Sequence, residues 1–156
     1  MEINLILNGK KYNEIISSDT LLLDFVRSKG CYSVKRGCET ANCGLCTVHL
    51  NGKPVLSCSV LAARANGGVV TTLEGLQAEA EEFGTFMANE GSEQCGFCSP
   101  GFIMNVLAMK KELKNPTEEE INQYLVGNLC RCTGYMGQLR AIKKYLSIHG
   151  GLNKDE

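Results

Sequence analysis

Residues 37–58 read Gly37-Cys38-Glu39-Thr40-Ala41-Asn42-Cys43-Gly44-Leu45-Cys46-Thr47-Val48-His49-Leu50-Asn51-Gly52-Lys53-Pro54-Val55-Leu56-Ser57-Cys58. The first ten residues form a loop, crowded with cysteine and with small side chains. Thr47 to Leu50 then reads as a strand. Asn51-Gly52 is a strong two-residue hairpin turn, because both residues tolerate positive φ, and Pro54 to Leu56 returns. Toward the N-terminus the same logic repeats. Residues 2–7 alternate as a half-buried strand does, Asn8-Gly9 turns, and Lys11 to Ile16 pairs back. Asp19 or Thr20 is expected to cap a short helix from Leu21 to about Ser28, ended by Gly30. Val69 to Thr72 is a last β-branched run. The first seventy-odd residues therefore predict a small mixed α+β unit.

After Glu74-Gly75 the texture changes. Residues 77–89 are rich in Ala and Glu and predict a helix. Ser99-Pro100 reads as a cap with proline at the first helical position, opening a helix to about Leu113. Thr117 with Glu120 makes a capping box for a helix toward Tyr124. Leu139, Ile142, Tyr145 and Leu146 recur at helical spacing within 138–148. The expected division is an α+β domain over 1–74 and an all-helical domain over 75–156. Gly67-Gly68 and Gly150-Gly151 read as turn and tail.

Bulk properties exclude several function classes. The 156 residues carry 16 basic and 17 acidic side chains, a net charge of -1, so no basic excess exists to neutralise nucleic-acid phosphates. The acidic groups Glu79, Glu81, Glu82 and Glu118, Glu119, Glu120 read as solvated helix faces. The start Met1-Glu2-Ile3-Asn4 lacks the pattern of a signal peptide. No run approaches the roughly 18 apolar residues of a membrane helix, so a cytoplasmic location with no membrane partner is expected. Nucleophile motifs, paired catalytic carboxylates and phosphate-binding glycine loops are not found, so a complete active site is not expected on this chain.

The nine cysteines are the anomaly. A reducing compartment disfavours disulfides, and an odd count leaves one over. Cys38, Cys43, Cys46 and Cys58 have the spacing C-x4-C-x2-C followed by a distant fourth cysteine, which is the plant-type [2Fe–2S] spacing. Gly37 and Gly44 let backbone N–H groups turn toward the sulfurs. Zinc, the alternative, usually takes two separate knuckles. Cys95, Cys98, Cys130 and Cys132 form C-x2-C-x31-C-x-C, a set that suits a second cluster but on spacing alone also zinc or copper. Cys31 reads as a buried small apolar residue, and His49 and His149 as structural or solvated.

Three segments carry a resemblance: Cys38-Glu-Thr-Ala-Asn-Cys-Gly-Leu-Cys46, Gln94-Cys-Gly-Phe-Cys98-Ser-Pro-Gly101, and Gly127-Asn-Leu-Cys-Arg-Cys132-Thr-Gly-Tyr135. Together they resemble the iron–sulfur subunit of the xanthine dehydrogenase family, the molybdenum hydroxylases, over about residues 3–148. The resemblance implies an N-terminal β-grasp ferredoxin-like domain followed by a four-helix domain. It implies two [2Fe–2S] clusters that relay electrons from a molybdenum–pterin cofactor on a large partner subunit to FAD on another. Cys38, Cys43, Cys46 and Cys58 would hold the flavin-side cluster. Cys95, Cys98, Cys130 and Cys132 would hold the molybdenum-side one. Gln94 and Cys132 match positions that contact the pterin. The first loop departs from the family's common Gly-Glu-Gly, having Glu39-Thr40-Ala41-Asn42, which puts its N–H bonds to the cluster in question. The absence of molybdenum and flavin domains implies separate subunits. Two other readings remain: a free-standing ferredoxin-like carrier, and a zinc-stabilised binding module.

Overall fold

A computed structural model describes residues 1–149. The C-terminal end of the expected helical domain and Gly150-Gly151 lie outside the described residues. Strands β1 (Glu2–Leu7) and β2 (Lys10–Ile15) form the first hairpin, with Asn8 and Gly9 at φ +50° and +80°. Strands β3 (Thr47–Leu50) and β4 (Lys53–Leu56) form the second, with Asn51 and Gly52 at +51° and +80°. Strand β5 (Val69–Thr71) joins the two hairpins, giving the order β2-β1-β5-β3-β4. It runs parallel to β1 and antiparallel to β3. Helix α1 (Leu22–Ser28) crosses the sheet and buries Leu22, Leu23, Phe25 and Val26 against Ile3, Leu5 and Leu7. A mixed sheet grasping one helix is the β-grasp fold.

Among the described residues the second half is four helices: α2 (Gln77–Asn89), α3 (Ser99–Glu112), α4 (Glu118–Tyr124) and α5 (Met136–Ile148). Their core includes Phe83, Met87, Phe102, Val106, Ile142 and Tyr145, with the Phe83 ring tilted against Phe102 at 6.0 Å and Tyr145 at 5.0 Å. The overall class is α+β.

Two expected caps are corrected. Neither Asp19 nor Thr20 caps α1. Its N-cap is Leu21, with no side-chain bond, because Leu21 bridges to Leu61 and the Leu22 N–H donates to the Val60 carbonyl at 2.7 Å. Nor does Ser99 cap α3: Cys98 holds that position, and the Ser99 hydroxyl donates to Glu93 at 2.9 Å. The Thr117–Glu120 capping box forms as expected. Gly30, at φ +90°, closes α1 with its N–H on the Arg27 carbonyl.

His49 proves to be a joint between the two halves. It lies on β3, only 3% exposed, and its Nε2 bonds the Met104 carbonyl of α3 at 2.8 Å. Cys31 is buried, as its sequence context suggests, and accepts from the Asn8 amide at 3.6 Å. His149 pairs with Glu82 at 2.9 Å and its ring lies tilted against Tyr145 at 4.6 Å. The acidic faces are therefore not merely solvated, since Glu118 also pairs with Lys143 at 2.9 Å.

Candidate metal centres

The first four thiols form two pairs, Cys38 with Cys43 in the loop before β3 and Cys46 with Cys58 where that loop's end faces the end of β4. The backbone N–H groups of Thr40, Asn42 and Cys43 all point at the Cys38 sulfur and lower its pKa to about 6. The loop Glu39-Thr40-Ala41-Asn42 thus still turns N–H groups toward this sulfur, with Ala41 in the left-handed conformation, φ +57°, that glycine adopts freely. Cys43 lies beside Cys38, and burial pushes its thiol up. Cys46 is more deeply buried and is pushed up to about 11, with the Cys58 thiol and N–H against it. A short turn over Ser57–Ser59 brings Cys58 there. The Ser57 hydroxyl anchors that turn to the Cys46 carbonyl at 2.7 Å.

The second four meet between the α2–α3 loop and the α4–α5 loop. The Cys95 and Cys132 sulfurs are 3.6 Å apart. Two thiolates sharing one tetrahedral ion, each at about 2.3 Å, stand about 3.7 Å apart. Cys98, pushed up to about 11 by burial, lies against Cys130. Burial raises Cys130 too, but the hydroxyl and N–H of Thr133 and the N–H of Cys132 outweigh it and the net shift is downward. The Thr133 hydroxyl is 3.1 Å from that sulfur, and the Gln138 amide is 3.9 Å from Cys98. The Phe97 N–H lowers Cys95.

Among the described residues, no three Cys, His, Asp or Glu side chains converge to hold a lone metal ion. The eight thiols meet two by two: Cys38 with Cys43, Cys46 with Cys58, Cys95 with Cys132, and Cys98 with Cys130. An all-sulfur, two-plus-two set ringed by N–H donors fits a binuclear cluster, which needs two thiolates on each of two irons and hydrogen bonds on its sulfurs. Gln94, beside Cys95, is exposed, as are Cys95 and Cys132, so Gln94 and Cys132 share one open rim. Exposed apolar side chains lie on or beside the same two loops: Phe97 is 51% exposed, Leu129 48% and Met136 59%.

The two loops touch. The Leu129 N–H donates to the Cys43 carbonyl at 2.9 Å. Lys35, before the first loop, donates to the Phe97 carbonyl at 3.1 Å and covers that ring at 4.6 Å. Sequence reading does not single out Lys35, Thr133 or Gln138. Thr133 sits inside the third motif, but nothing local marks the other two.

Comparison with known proteins agrees. Residues 5–88 match the family described as "2Fe-2S iron-sulfur cluster binding domain", and residues 72–143 match "[2Fe-2S] binding domain". The chain is similar to the nicotinate dehydrogenase small FeS subunit of Eubacterium barkeri, 40% identical over 146 residues and covering 92% of each chain. It is 42% identical over 134 residues to the xanthine dehydrogenase iron-sulfur-binding subunit of Escherichia coli O157:H7, covering 83% of this chain and 84% of that one. The chain belongs to the iron–sulfur subunits of the molybdenum hydroxylases. This iron–sulfur subunit also superposes on a chain of quinoline 2-oxidoreductase from Pseudomonas putida 86, with a TM-score of 0.85 and 32% identity over 97% of its own length and 98% of that chain. As a member of that family it is an electron-transfer subunit of an oxidoreductase complex, with larger partners. No helix among the described residues is long and apolar enough to cross a membrane.

Proposed function

We propose that Cys38, Cys43, Cys46 and Cys58 hold one [2Fe–2S] cluster, that Cys95, Cys98, Cys130 and Cys132 hold a second, and that the chain passes electrons from a molybdenum–pterin centre on a large partner to FAD on another subunit. The observation that carries this is the pair of two-plus-two thiol sets bridged by the Leu129–Cys43 hydrogen bond. When bound, the clusters supply one-electron redox chemistry. The chain's own residues do the rest. Thr40, Asn42, Phe97 and Thr133 direct donors at the sulfurs. The β3–α3 contact holds the two loops together.

Gln94 and Cys132 face the pterin of the large subunit. Their common exposed rim with its apolar border supports that reading. The helical site is then the molybdenum-side one and the sheet site the flavin-side one. The two separate buried clusters support a division into 1–74 and 75–156. Nine free thiols suit the reducing cytoplasm. The relatives named for nicotinate, xanthine and quinoline favour an N-heterocyclic substrate, which the large subunit would select.

The test is the cofactor content of the native complex captured through this chain. About four irons and four sulfides per chain, with molybdenum and flavin present, are expected. Zinc without sulfide overturns the cluster reading. Iron and sulfide without molybdenum or flavin return the chain to a free carrier.

A further inference from the structure

An electron crossing between two protein sites tunnels, and its rate falls exponentially with the gap, so slack between the loops is costly. Three polar side chains that bind no metal surround the point where the loops meet. Asn128, on the second loop, is 7% exposed. Its Oδ1 accepts from the Asn105 amide of α3 at 2.5 Å. The same Asn105 amide donates to the Thr47 hydroxyl at 3.1 Å and approaches the Gly101 carbonyl at 3.3 Å. The Thr47 hydroxyl in turn donates to the carbonyl of Gly44, on the first loop, at 2.7 Å. The chain Gly44–Thr47–Asn105–Asn128 thus links both loops through α3.

The backbones are as close as glycine permits. A Cβ on Gly44 would stand 2.4 Å from the Gly127 carbonyl and 2.6 Å from the Asn128 Nδ2, and one on Gly101 would stand 2.4 Å from the Gly44 carbonyl. The Asn128 Nδ2 is buried over Gly44 with no hydrogen-bond partner. A side chain chosen for packing alone would be apolar here, since an orphaned buried amide is destabilising. The amide is therefore kept for what its oxygen holds.

We infer that Thr47, Asn105 and Asn128 are positioning residues that clamp the Cys43–Leu129 contact and so fix the gap across which an electron passes between the two sites. The inference rests on the two-cluster reading and adds to it three residues outside the ligand set. One electron is lost at the helical site and gained at the sheet site. No bond forms or breaks and no proton moves, so the clamp acts on geometry alone.

The test compares the native complex with its Asn128→Ala and Thr47→Val variants. Three quantities are read: iron and sulfide content, the magnetic splitting between the two reduced clusters by electron paramagnetic resonance, and hydrogen exchange at the Leu129 amide. With full iron content, the variants are expected to show altered splitting and Leu129 exchange faster by about tenfold or more. Unchanged splitting and exchange in an iron-replete variant overturn the clamp. If Asn128→Ala loses iron, Thr47→Val, which removes one hydroxyl and keeps the side-chain shape, decides between clamp and no clamp by the same readouts. A wild-type complex without iron–sulfur signals sinks the two-cluster reading itself, an outcome distinct from failure of the clamp.

Discussion

Burial keeps the proton on a thiol, and N–H donors help to remove it. Both kinds occur side by side here. Cys38 falls to about 6 on three backbone donors, while burial raises its neighbour Cys43. Cys95 is lowered by the Phe97 N–H, and Cys132, which hydrogen-bonds Cys95, is raised. Cys130 is lowered next to Cys98 at about 11. These pairs belong to two separate sets, Cys38 with Cys43 in the sheet domain and the other two in the helical one. Replacing Cys43 with Ser should therefore empty the sheet site alone. Iron and sulfide should fall from about four to about two per chain, and electron flow to the acceptor should drop while substrate binding persists. Full iron content and unchanged turnover in that variant would remove Cys43 from the ligand set.

At the scale of elements, β3 and α3 form the joint. His49 enters it neutral: burial lowers its pKa, the Met104 carbonyl opposes that, and Lys111 and Glu112 are the nearby charges. A histidine whose folded pKa is depressed contributes stability that is full above its ordinary value of about 6.5 and is lost as pH falls through the folded one. The denaturation midpoint should therefore drop between about pH 7.5 and about pH 5.5, and His49→Gln should flatten that slope. An unchanged slope in the variant would place the titration elsewhere. Gly101 is another close contact between the two halves. A Cβ there would meet the Gly44 carbonyl at 2.4 Å and the Leu45 Cα at 2.9 Å, both backbone atoms that cannot swing away. Gly101→Ala should lower stability by about 2 kcal/mol through overpacking, read as a shift in unfolding midpoint. Glu74 secures the adjoining connection: it accepts from the Ser33 N–H at 2.9 Å and the Ser33 hydroxyl at 2.7 Å. It ties the segment between β5 and α2 back to the sheet domain.

On the whole molecule, the thiols of the helical site open onto an apolar border. Val126 is 78% exposed and Tyr135 46%, and both line a cleft of about 330 Å³ with Leu129 and Leu139. Large exposed apolar side chains gathered at one place mark an interaction surface, and the family assembles with larger partners. Val126→Asp should weaken capture of the partner subunits by about tenfold or more while leaving iron content intact. Undiminished co-purification of the partners would locate the interface elsewhere.

Most of the architecture is legible along the chain, because its signals are local. Asn8-Gly9 and Asn51-Gly52 need positive φ and turn wherever they stand. Thr117 and Glu120 cap across one helical turn. The two cysteine sets follow from loop spacing and motif. The α1 and α3 caps differ from expectation because tertiary partners, Val60 for one and Glu93 for the other, take over the groups that local capping would have used. What only the tertiary structure decided is how the two halves meet. His49 on Met104, Lys35 on Phe97, and Asn105 joining Thr47 to Asn128 link residues 23 to 62 positions apart. No local pattern encodes such pairs, because each partner's conformation is set by its own element and their meeting is set by packing. The sequence alone determined which thiols could serve each site; the packing of β3 on α3 decided that the two sites would touch.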